Sequence, residues 1–108
     1  MNKVVSDRQE KNVAKALGGR QTIASGATPF VKGDVLAGNC IIECKTKTKE
    51  VKSFAIQKSW LDELREERIG MGKSLSALAI SFDMGESSFY VIDENAMKLL
   101  LEVVNGEL

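Results

Sequence analysis

Residues 33–49, GDVLAGNCIIECKTKTK, set Asp34, Glu43 and Lys45 on two short apolar runs that flank Gly38-Asn39. Gly-Asn suits the positive φ angles of a two-residue hairpin loop. With that loop, Ala37 opposes Cys40, Leu36 opposes Ile41, Val35 opposes Ile42 and Asp34 opposes Glu43. Directly opposed side chains have Cβ atoms about 5 Å apart, and two carboxylates held so close repel one another. Lys45 shares the face of Glu43, because strand side chains repeat every two residues. One ammonium offsets only part of two negative charges; a divalent cation offsets more.

A third acid comes from the first helical stretch. Glu10, Val13, Ala14 and Leu17 follow the i, i+3, i+4, i+7 spacing of a core-facing stripe, so Glu10 is expected to point inward. A buried carboxylate is costly unless it is paired or coordinates a metal. The alternative to metal binding is a buried ion pair from Glu10 to Lys45 or Arg20. The chain has no histidine, which removes Ser-His-Asp and Cys-His catalysis and histidine-ligated zinc. Oxygen-only ligands suit Mg2+, with Mn2+ able to replace it. Such a metal polarises a phosphoryl oxygen and generates hydroxide, while a lysine orients water or stabilises developing negative charge. Phosphodiester hydrolysis is the reaction these parts fit.

A chain of 108 residues, 44% of them hydrophobic and 28% charged, is expected to form one globular domain over 1–108 with its own core. No run approaches the length of a membrane span, and MNKVVSDRQEK lacks the apolar stretch of a signal peptide. The expected location is therefore cytoplasmic. Cys40 and Cys44 would stand about 13 Å apart on one strand, too far to pair, and read as small apolar residues. Net charge is zero, but residues 1–58 carry 11 Lys and Arg against 5 Asp and Glu, whereas 59–108 carry 4 against 10. A basic half of +6 can face phosphates, with Lys32, Lys47, Lys49 and Lys52 as candidate DNA contacts. A merely solvated loop is the competing account of KTKTKE.

The elements that must position these residues follow from the same patterns. Ser6 and Gln9 have capping-box spacing at a helix start, and Gly18-Gly19 marks its end. Residues 18–33 read as a long loop. DVLA and CIIECK form the hairpin, and a third strand is expected over 53–57. Ser59 caps a second helix that stops at Gly70. LSALAISF reads as a central strand whose Ala77 and Ala79 admit a closely packed helix. After a turn at Gly85, SFYVI is a further strand, and Asp93 caps a last helix to about Val104. The order α-β-β-β-α-β-β-α implies an α/β fold, a mixed five-stranded sheet flanked by helices. Trp60 and Leu61 are expected as core anchors. DELREER reads as an exposed helix face with i, i+4 charge pairs. The last helix, ENAMKLLLEVV, is apolar nearly all round, which asks for a second subunit or for deep burial within one chain.

Asp34 followed nine residues later by Glu43-Cys44-Lys45, on a hairpin after a helix bearing Glu10, resembles the PD-(D/E)XK nuclease superfamily, with Gly33 where the nominal motif has proline. The order E…GGR…SGA…GDVLAG…IIECKTK…W…L…ALAISF…FYVI is similar to small Holliday junction resolvases of the archaeal type and their phage relatives, over roughly residues 8–93. The resemblance implies a restriction-endonuclease-like core and a metal site of Glu10, Asp34 and Glu43, with Lys45 catalytic. It also implies an assisting Ser25, a phosphate contact at Arg20, a homodimer, and a four-way DNA junction as substrate. A nicking, flap or restriction-like nuclease would use the same core, and a non-catalytic nucleic-acid-binding module could share the fold.

Overall fold

The computed structural model describes residues 3–22 and 35–106. Its elements are α1 (Lys3–Leu17), β1 (Arg20–Gln21), β2 (Val35–Ala37), β3 (Cys40–Thr46), α2 (Lys58–Gly70), β4 (Leu75–Ser81), β5 (Phe89–Val91) and α3 (Glu94–Val104). They form the expected α/β arrangement, a single five-stranded mixed sheet in the order β1-β2-β3-β4-β5. Only β3 and β4 run parallel; the other neighbours are antiparallel. A parallel pair needs a crossover, and α2 supplies it.

The hairpin register is the one expected, Val35 opposite Ile42, Leu36 opposite Ile41 and Ala37 opposite Cys40. Gly38 takes φ 56° while Asn39 stays at negative φ, so of the two hairpin turns this fits the one with glycine first.

The letters of the element order agree with expectation, but one strand has moved. Residues 53–57 form no strand; Val51 donates to the Phe82 carbonyl at 3.0 Å, and Phe54 then docks edge-on against Phe82. The reason is that both sides of β3 are already occupied, by β2 and β4. The additional strand is β1, inside the stretch read as loop, where Arg20 pairs Leu36 and Gln21 pairs Val35. Gly19 makes this possible: a Cβ there would lie 2.5 Å from the Leu36 carbonyl oxygen. The helix starts also shift. Ser6 lies within α1, and Ser59 within α2, whose N-cap is Gln57. Asp93 does cap α3, its carboxylate accepting the Ala96 amide at 2.8 Å.

Period-two alternation divides the core between the two faces of the sheet. Val35, Ile42, Ala77 and Ala79 pack with Val13 and Ala14 of α1. Ile41, Leu78 and Ile80 pack with Leu64, Trp60 and Leu61 of α2. The small residues at 77 and 79 thus receive a helix as expected, and Trp60 and Leu61 are core-packed. Cys40 and Cys44 are free, half-buried and packed with the α1 cluster, and burial pushes the Cys40 thiol up.

Helix α1 is clasped by the β4–β5 loop. Gly85, at φ 88°, lies so close that a Cβ would be 2.8 Å from the Val5 carbonyl oxygen and 2.9 Å from the Gln9 nitrogen. Asn12 donates to the Gly85 carbonyl at 2.9 Å, and Arg8 to Met84 and Glu86. The loop is itself held by Asp83, which accepts from Ser81 at 2.8 Å and from the Ser87 hydroxyl and amide at 2.6 and 2.9 Å. Those bonds from Ser87, then Ser81, bring Asp83 down to a pKa of about 2.

Two outcomes follow from this clasp. Gly85→Ala should lower stability by about 2 kcal/mol or more, since it adds strain at positive φ to a steric clash; thermal unfolding followed by circular dichroism measures it. Because the folded pKa of Asp83 is depressed, its stabilisation is present above pH 4 and is lost as the pH falls towards about 2. Asp83→Asn should flatten that part of an acid-unfolding curve, and an unchanged curve would contradict the assignment.

Candidate functional site

Strand β3 carries Glu43 and Lys45 on the face that Ile41 shares, the face covered by α2. The Lys45 Nζ lies 3.6 Å from Glu43 Oε1, with side-chain exposures of 31% and 21%. It also lies 4.6 Å from the centre of the Trp60 ring. A partly exposed ion pair is worth at most about 1 kcal/mol, and an ammonium over an indole about as much. Trp60 therefore holds Lys45 as firmly as Glu43 does, and the ammonium is available to an incoming anion without a large loss. Lys47 repeats the pattern at 5.2 Å from the Phe54 ring.

Directly opposed residues in an antiparallel pair share a face. Arg20, opposite Leu36, therefore stands on the same face as Glu43 and Lys45. It is exposed, in a shallow concavity with Gly18, Gly19, Gly38 and Lys73, towards the turn end of the hairpin. Lys47, Lys49 and Lys52 are exposed beyond the other end of β3. Asp34, Ser25 and Lys32 lie outside the described residues.

Glu10 arrives differently from expectation. The buried residues of α1 are Val5, Gln9 and Val13, so the inward stripe centres on Gln9, with Glu10 half-buried beside it and Leu17 exposed. The buried stripe of α1 thus passes one residue before Glu10. Helix α1 also covers the sheet face opposite Glu43 and Lys45. Glu10 thus belongs to the neighbouring helix turn and not to the face the pair occupies.

Gln9 was missed as a positioning residue. At 1% exposure, its Nε2 donates to the Lys45 carbonyl at 3.0 Å, the Ala79 carbonyl at 3.2 Å and Ser88 Oγ at 3.3 Å. One side chain so joins α1 to β3, β4 and the approach to β5, at the residue that carries the lysine. Its capping-box spacing with Ser6 concealed this role; the repeat Val5, Gln9, Val13 was the signal that could have revealed it. On the far side of α1, Gln21 donates to Asp7 at 3.0 Å and, with Lys11, lowers the Asp7 carboxyl pKa.

Among the described residues no three of His, Cys, Asp and Glu converge as a metal cage. The carboxylate that β3 carries is Glu43, an oxygen donor of the kind a hard cation takes. Among the described residues no helix is long and apolar enough to cross a membrane. Comparison of the chain with protein-family models, with curated proteins and with solved structures gave no match.

The Trp60 contact has a direct test. Trp60→Leu should abolish the ring-current displacement of the Lys45 ε-methylene resonances in NMR spectra, whereas Trp60→Phe should retain part of it. Loss of the packed indole should also cost about 2–3 kcal/mol in denaturant unfolding. Unchanged Lys45 shifts in Trp60→Leu would show that the ring does not hold the ammonium.

Proposed function

We propose that this chain is a metal-dependent, structure-selective DNA endonuclease of the PD-(D/E)XK kind, acting on branched DNA such as a four-way junction. The observation that carries the reading is the Glu43–Lys45 pair on one face of β3, its ammonium held by Trp60, in a strand paired with β2 in the register expected. Glu43 and Asp34 would hold Mg2+, or Mn2+ in its place. Glu10, on the helix that covers the opposite face, is left out of this set.

The metal, when bound, would polarise a phosphoryl oxygen and acidify water. Lys45 would stabilise the charge that develops on the phosphate, aided by weak restraints that let the ammonium turn from Glu43 to the substrate. Arg20, on the same face, and Lys32, Lys47, Lys49 and Lys52 would track the backbone, giving selectivity for shape and not for sequence. Ser25 would assist at the phosphate. The bland account of the pair is a surface ion pair with no chemistry; the shared placement of Arg20, Glu43 and Lys45 on one face favours the reading over it.

Cleavage of a labelled four-way junction, beside linear duplex, flap and single strand, tests the proposal. With Mg2+ the junction should be cut, and with EDTA it should not. Glu43→Ala and Lys45→Ala should each lower the rate at least about 100-fold while leaving junction binding within about threefold. Retained cutting in either variant would overturn the site assignment, and cutting of another structure would keep the metal site and change the substrate.

A further inference from the structure

Helix α3 buries none of its residues, so deep packing within one chain, one of the two expectations for it, is not what the fold does. A second apolar surface differs from it in being bordered by charge. A cavity of about 430 Å³ opens between β5 and the segment that follows β3, lined by Phe54, Ile56, Ile80, Phe82, Phe89 and Val91. None of these side chains carries a polar atom. Phe54, Phe82 and Val91 pack with Leu64 and Trp60, so the cavity lies on the face that α2 covers, the face of Glu43 and Lys45. Phe54 meets Phe82 edge-on at 6.1 Å between ring centres, and Phe82 meets Phe89 in the same way at 5.8 Å. Ile80 is buried, whereas Phe89 is 68% exposed and Ile56 43%.

The cations stand at one margin of this slot. The register places Lys45 beside Ile80, and Ile80 opposite Phe89. The three therefore occupy one row across the sheet, with Phe89 two strand spacings, roughly 10 Å, from Lys45. Lys47, just past the end of β3, holds its ammonium 5.2 Å from the centre of the Phe54 ring, one of the rings that line the slot. Apolar walls with three aromatic rings, and two ammoniums along one side, complement a flat aromatic group joined to an anion. We propose that the slot takes an unpaired nucleobase of a DNA strand whose phosphates lie on Lys47 and Lys45. Every base offers a π-face, so stacking on phenylalanine is tolerant of sequence, and the slot has no polar side chain with which to read a base edge. The phosphate that each base brings with it meets the ammoniums. A lipid tail or an aliphatic peptide would use the walls and make no use of the cations beside them. Bases inside a duplex stay stacked on one another, so the slot favours a strand with a base already out of the stack, which costs least to hold. The proposal rests on the reading of the Glu43 face as a DNA site, and names what the substrate presents beside the cut.

The test is binding in EDTA, followed by fluorescence anisotropy, of two labelled single strands of about 12 nucleotides. One is oligothymidylate; the other has the same backbone with abasic residues throughout. The wild type should bind the strand with bases at least about 10-fold more tightly, the effect of one base stacked on an aromatic side chain. Phe89→Ala should bring the two strands within about threefold of each other by weakening only the first, with its far-UV circular dichroism unchanged because the ring is exposed. Phe89→Trp, which keeps a π-face, should keep the preference. Lys47→Ala should weaken both strands alike and lower the salt slope by about one. Equal wild-type affinity for the two strands overturns the proposal. So does the absence of binding to either at about 100 µM, or a preference that Phe89→Ala leaves intact. A chain indifferent to bases that binds phosphatidylcholine vesicles through Phe89 would assign the slot to lipid instead. Junction cutting by a chain without base preference would sink the slot and leave the nuclease reading standing; base preference without cutting would do the reverse.

Discussion

The parallel pairing of β3 with β4 is the constraint on which the candidate site depends. It runs from Cys40 opposite Leu75 to Thr46 opposite Ser81, and no short turn can connect such strands. The chain must cross the sheet, and in doing so it lays α2 over one face. The alternation of β3 then decides the rest: Ile41, Glu43 and Lys45 point to α2, Ile42 and Cys44 to α1. Trp60, near the start of α2, meets Lys45 because both are committed to that face. The charged pair and its aromatic support are consequences of a backbone arrangement, not of local attraction, which at about 1 kcal/mol for each contact is too weak to organise them.

The opposite face works by a different device. Gln9 spends its amide on two strand carbonyls and a serine, inside a cluster that is otherwise aliphatic. All three bonds come from the amide nitrogen, the Oε1 being buried without a protein partner among the described residues, and they tie α1 to β3 and β4. Gly85 and the Asp83 turn hold the same helix from outside. A helix clasped from two directions carries Glu10 at a defined rotation beside the strand that carries Lys45.

What was legible in the sequence was what local chemistry decides. Gly38-Asn39 fixed a turn, the turn fixed the pairing of 35–37 with 40–42, and Asp93 fixed the start of α3. What was not legible depended on distant neighbours. Residues 53–57 have the composition of a strand, but β3, the strand they follow, is already paired on both sides. Arg20-Gln21 lie among glycines and pair only because Gly19 lets the chain approach Leu36. Gln9 reads as a capping residue until α1 is seen to begin at Lys3. At the site, the Glu43–Lys45 face was readable from period two alone, while the Trp60 contact required the crossover, and Asp34, Ser25 and Lys32 fall outside the described residues.

The central claim is that Glu43, with Asp34, is the oxygen-donor half of a metal site that works on DNA. Titration of Mn2+ followed by electron paramagnetic resonance, on the complex of four-way junction with a Lys45→Ala chain, tests it without interference from cutting. The account predicts saturable binding that disappears when Glu43→Ala or Asp34→Ala is added to that chain, with the junction still bound. Binding that is equal with and without Glu43, or none in the Lys45→Ala complex, would contradict it.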